Sequence, residues 1–102
     1  MYFITTIEDV KPNDMFIYDS QRTIGYYKTL KEAINAVEHN ALDMNEMIYE
    51  YVVIELIEPG LYHSRVSFQM WFKWVGDWDN GKYKRITSPI NSQYKLRAAT
   101  IG

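Results

Sequence analysis

The sequence predicts an α+β domain: one small, mainly antiparallel sheet with a single helix packed on one face, in the order ββαβββ. Three observations carry this. β-branched and aromatic stretches flank one segment, and only one, with the 3.6-residue period of an amphipathic helix. A Gly-bounded loop ending in Asn80-Gly81 joins two extended stretches as a hairpin. The 102 residues suffice for one layered core and leave little room for a second, so residues 1–102 read as a single domain.

The elements follow in order. Tyr2-Phe-Ile-Thr-Thr-Ile7 has strand composition. Lys11-Pro-Asn-Asp14 is a turn, because Pro presets φ and Asn and Asp tolerate turn conformations. Met15 to Tyr18 is a second strand or an extended approach to one. Ser20-Gln-Arg-Thr23 breaks the pattern, and Ile24-Gly-Tyr-Tyr27 resumes it. Thr29-Leu-Lys-Glu32 is a capping box, in which hydroxyl and carboxylate each satisfy an orphan N–H. Leu30, Ala33, Ile34 and Val37 then form one apolar stripe, with Asn40 a terminator. Asp43-Met-Asn-Glu46 repeats the capping pattern and predicts a short second helical turn.

Tyr51-Val-Val-Ile-Glu-Leu-Ile57 is apolar on both faces, the mark of a central strand, and Glu58-Pro-Gly60 ends it. A long strand is predicted over residues 64–75. Its alternation puts Val66, Phe68, Met70, Phe72 and Trp74 on one face, and Ser67, Gln69, Trp71 and Lys73 on the other. Residues 76–81 form the hairpin loop, with Asn80-Gly81 expected to supply positive φ, and residues 83–87 return as the partner strand. Beyond Pro89 the pattern is mixed and predicts no element.

The chemistry-bearing residues are few. There is no Cys, which excludes disulfides and thiolate metal sites. His39 and His63 show no ligand spacing, so no metal is expected; His39 suits the end of a helix. Asp43 and Glu46 could pair for acid–base work, yet capping explains both. Gly76 to Gly81 lacks the Gly-Lys-Ser/Thr ending of a phosphate loop, and there is no G-x-S-x-G elbow. The expectation is a binding protein without catalytic residues or cofactors. Neither a signal peptide nor a membrane span is present in the pattern, so the cytoplasm is expected.

Charge is unevenly placed. Residues 1–60 carry four basic and eleven acidic side chains, net −7, whereas residues 61–102 carry seven and two, net +5. Either the folded protein is dipolar, suited to a charged partner or to self-association, or the two sets interleave and cancel. Aromatic and cationic residues coincide in the hairpin. Trp71 and Lys73 lie opposite the large apolar row, Trp78 sits at the loop tip, and Lys82, Lys84 and Arg85 follow with no acid among them. Such platforms bind nucleotides or acidic protein surfaces. The hairpin residues Trp71, Lys73, Trp78, Lys84 and Arg85 are therefore the expected partner site. The competing reading is a sheet packed on both faces, with Trp71 buried and the cations solvated. The acidic helix face around Glu32 and Glu38 is the fallback.

Part of the chain resembles a known pattern. Gly25-Tyr-Tyr27, Glu32-Ala33, Ala36-Val37, Asn40, Asp43, Glu46, Tyr49, Tyr51, Val53-Ile-Glu55 and Gly60-Leu-Tyr62 are similar to short proteins of uncharacterised function encoded by Firmicutes, their prophages and phages. Phe72-Lys-Trp74 extends the likeness, and the chain departs from the pattern after Gly76. The resemblance implies a phage-type protein acting in the host cytoplasm as a counter-defence inhibitor that occupies a host protein surface. Alternatives are a homo-oligomer that sequesters a nucleotide signal, and a host housekeeping or assembly module.

Overall fold

Residues 51–56 carry side chains that avoid water on both sides of the backbone, and the only place for such a strand is mid-sheet. In the computed structural model, which describes residues 1–11, 17–39, 50–58, 60, 65–77, 80–90 and 96–100, they take that place. The strands are β1 (Tyr2–Ile7), β2 (Asp9–Val10), β3 (Tyr18–Asp19), β4 (Arg22–Tyr27), β5 (Tyr51–Leu56), β6 (Gln69–Val75) and β7 (Lys82–Ile86), with helix α1 (Leu30–Glu38) after β4. A five-stranded antiparallel sheet runs β4-β1-β5-β6-β7, and β2 and β3 pair separately. The α+β class with one helix on the sheet is as the sequence predicts. The added detail is the small β2–β3 ladder. The sixth strand also starts at Gln69, later than expected, and Arg65 ahead of it forms an isolated bridge to Leu96.

Between Ile4 and Thr5 the β1–β4 register slips by one residue, so Gly25 faces Ile4 while Thr23 faces Thr5. Ile24 is the extra residue of a β-bulge. The Thr5 and Thr23 hydroxyls meet at 3.0 Å, satisfying two polar groups in a buried ladder.

Thr29 caps α1 in extended backbone, its Oγ1 accepting the Glu32 N–H at 3.2 Å. The return bond differs from the expected box. The Glu32 carboxylate accepts the Thr29 hydroxyl at 2.8 Å, the hydroxyl serving as acceptor and donor at once. Ala33 and Val37 are fully buried against Ile4, Val52, Ile54, Met70, Phe72 and Tyr83. Leu30 and Ile34, on the rim of the stripe, pack on this core from a half-buried position.

The opposite face of the sheet is also covered. Ile7, Val53 and Trp71 lie under Tyr18, Ile90 and Ala98, with Val10, Ile17, Tyr51, Ile86 and Leu96 around them. Here the C-terminal segment, for which the sequence predicts no element, earns an ordered place without forming a strand. Residues 96–100 lie across the sheet and exchange hydrogen bonds with β3, β5, β6 and the β4 edge. The predicted turn at residues 11–14, all but Lys11, and the helical turn at Asp43–Glu46 lie outside the described residues.

Candidate binding edge

The β6–β7 hairpin holds together through two glycines. Gly76 sits at φ +110°, and a side chain there would press on the Gly81 backbone. Gly81 has no such φ; what it supplies is space, since a Cβ would lie 2.6 Å from the Trp74 ring. The positive φ expected at Asn80-Gly81 is therefore not found there; Gly76 is the hairpin residue that takes the left-handed conformation. Trp74 stacks edge-on with Tyr83 at 5.0 Å and donates its indole N–H to the Asp77 carbonyl at 3.1 Å. This fixes β7 in register: Lys84 faces Lys73, Arg85 faces Phe72, and Lys82 faces Val75.

The expected site residues separate on this frame. Trp71 is 1% exposed and is a core residue, not a surface anchor, which corrects its expected role. Its ring packs against Tyr18 at 5.9 Å and Tyr51 at 6.4 Å. The reason lies in the second layer: β3 and residues 96–100 cover the face that strand alternation alone would leave to solvent. Lys73 is half-buried and engaged, 3.5 Å from the Glu50 carboxylate with its ammonium 5.6 Å from the Tyr51 ring centroid. Trp78 lies outside the described residues, as do His63, Asp43 and Glu46. Lys84 and Arg85 are exposed, and so is Lys82. Among the described residues, none of these three forms an ion pair; the salt bridges are Lys11–Asp19 and Lys73–Glu50.

The three cations line an open groove of about 320 Å³ between α1 and β7. Ile34, Met70, Phe72 and Tyr83 give it an apolar floor, and Glu38 is its one acid among the described residues. Burial holds the Tyr83 phenol well above its ordinary 10, so it remains a neutral part of that floor. Strand alternation turns Lys82 and Lys84 toward the opposite face of the sheet, so the groove is apolar beneath and Arg85 is the cation that shares the face of Tyr83. Its volume lies at the small end of ligand sites. His39, at the C-cap of α1, places Nδ1 2.8 Å from the Asn35 carbonyl; since a carbonyl only accepts, that nitrogen carries the proton.

A second cluster was not singled out from the sequence. Glu55 is 0% exposed on β5, with both carboxylate oxygens engaged. Oε2 accepts the Ala98 N–H at 2.8 Å and Gln69 Nε2 at 2.8 Å, and Oε1 accepts the Ala99 N–H at 2.9 Å. Gln69 also donates to the Leu96 carbonyl at 2.7 Å, as does the Tyr18 hydroxyl at 2.6 Å, while Gln21 donates to the Ala98 carbonyl. Burial raises the Glu55 pKa above its ordinary 4.5; the Gln69 and backbone donors and the nearby Arg97 charge offset part of this. Burial also pushes the Tyr18 phenol up to about 12, with Glu55 adding to the rise. The signal in the sequence is a lone acid inside an apolar strand, which asks for partners. Those partners are main-chain N–H groups 43 and 44 residues away, invisible to any local motif. The cluster's polar groups bind one another, so its task is to hold residues 96–100 on the sheet.

Among the described residues, no helix is long and apolar enough to cross a membrane, and no three His, Asp or Glu side chains gather as metal ligands. Compared with protein-family models, with curated protein sequences and with solved structures, the chain matches none.

Proposed function

We propose that this chain is a non-enzymatic binding protein that occupies an acidic surface of a host protein through its β6–β7 hairpin. One observation carries the reading. Lys82, Lys84 and Arg85 stand unpaired among the described residues on the last strand of the sheet, beside a groove with an apolar floor. Desolvated apolar ground next to charged anchors is what a protein interface uses: the apolar part supplies affinity, the charges supply rate and selectivity. The resemblance of residues 24–62 to phage and prophage proteins of Firmicutes favours a counter-defence role in the host cytoplasm over a housekeeping one.

The test is biological and then physical. Expressed in bacterial strains carrying phage-defence systems, the wild type is expected to restore plaque formation in at least one, and Lys84→Glu/Arg85→Glu to lose that effect while its melting temperature holds. A partner captured with the wild type should release as salt rises, with a Debye length near 10 Å at about 0.1 M. Equal rescue by both proteins removes the hairpin from the mechanism. Singly replacing His39, His63, Asp43 and Glu46 by Ala is expected to leave rescue intact; abolition by any of them at unchanged melting temperature reveals catalysis or a metal.

The groove favours one second reading, sequestration of a nucleotide signal by an oligomer, with the base on the apolar floor and phosphate at Arg85. A thermal-shift panel of mono-, di- and cyclic nucleotides separates the two. A rise for one nucleotide, lost in Lys84→Glu/Arg85→Glu, favours sequestration.

A further inference from the structure

The sheet ends differently at its two edges. On β4 the outer edge is engaged at Thr23, whose N–H donates to Thr100 Oγ1 at 3.2 Å while the Thr100 N–H donates to Thr23 Oγ1 at 2.7 Å. On the other side, among the described residues, no further strand of the sheet lies beyond β7. An edge strand presents main-chain groups to any chain that can lie alongside it. Cations on an edge select among such chains. Two copies joined edge to edge through β7 would set Lys82, Lys84 and Arg85 against their own equivalents, and like charges across a strand pair repel.

We infer that β7 receives an acidic, extended segment of the partner as an added sixth strand, a mode that rests on the basic-hairpin reading above. The register defines what that segment must carry. Along β7, Lys82 and Lys84 point to the Trp71 side of the sheet, and Tyr83 and Arg85 to the helix side. A strand added antiparallel meets Arg85, Lys84, Tyr83 and Lys82 in that order. Complementarity therefore asks for acidic, acidic, apolar, acidic. The apolar side chain enters the groove over Ile34 and Phe72, where the floor is apolar, and the three carboxylates meet the three cations. The main chain supplies affinity and the alternating side chains supply choice.

The probe is a labelled peptide, acetyl-Thr-Glu-Glu-Val-Glu-Thr-amide, titrated by fluorescence anisotropy at low salt against the full chain. Two further peptides carry N-methyl groups at one or the other alternate set of backbone nitrogens. Strand addition predicts that one methylated set weakens binding on the order of tenfold and the other leaves it nearly unchanged, because only alternate N–H groups face β7. It also predicts a loss on the order of tenfold for Lys84→Glu/Arg85→Glu, with Lys84→Gln/Arg85→Gln as the milder variant should the reversal not fold. Charge-dependent binding that neither methylated set weakens overturns strand addition and leaves the basic-hairpin reading standing. Binding indifferent to both charge variants, or none at all, overturns both. In that case self-association of Lys84→Thr/Arg85→Thr in sedimentation would assign the cations to guarding the edge.

Discussion

Two places on one strand, Trp71 and the β7-facing end of β6 only a few residues on, have similar sequence character and opposite fates. Trp71 and Lys73 alternate onto the same face, yet Trp71 lies 1% exposed beneath Tyr18 and Ala98 while Lys73 reaches out to Glu50. Toward β7 the second layer runs out and Lys82 and Lys84 meet solvent, as Arg85 does on the helix side. An aromatic next to cations thus becomes core or anchor according to what a distant segment covers. In this chain residues 96–100 draw that line, held by Glu55.

The largest test of the comparison is Trp71→Ala. If Trp71 is core, the substitution costs about 3–5 kcal/mol and lowers the denaturant midpoint sharply; near-native stability with lost binding would return Trp71 to the surface. Next comes Glu55→Ala, which leaves the Ala98 and Ala99 N–H groups and the Gln69 amide without their acceptor. The expected loss is about 3 kcal/mol, from a penalty of about 1–3 kcal/mol for each orphaned buried donor. Amide exchange at Ala98 and Ala99 should speed up more than at Val52 or Ile54. Uniform acceleration would mean that residues 96–100 unfold only with the whole domain.

The pH dependence of that clamp has a definite sign. Glu55 has a folded-state pKa above its ordinary 4.5, so its contribution is full below that value, where both states hold the proton. As pH rises past it the unfolded chain ionises first, and stability from this residue falls until the folded carboxyl has also ionised. Urea unfolding of wild type and Glu55→Gln across this range should give a difference that declines with rising pH. A difference that grows instead means that the backbone donors outweigh burial.

Smaller effects test the surface. Thr29→Ala should cost about 1 kcal/mol through the lost cap. Lys84→Glu/Arg85→Glu should shift stability by less than about 0.5 kcal/mol, since these side chains have no partner among the described residues to lose. A larger drop would mark the β7 cations as structural.

Much of this was legible locally. Thr29 and the Leu30-Ala33-Ile34-Val37 stripe specify α1 because capping and 3.6-residue periodicity act within a few residues. The two-sided apolar run at β5 specifies a central strand for the same kind of reason. The hairpin and its glycines could be read from their spacing, although which glycine turns and which makes room depends on the Trp74 ring. Strand alternation likewise assigned Trp71 a face by itself. Only tertiary structure decided whether that face is wet. Burial depends on what arrives from elsewhere in the chain, and here it is an irregular C-terminal segment, without periodicity to announce it, whose main-chain N–H groups satisfy a carboxylate on a strand more than forty residues earlier.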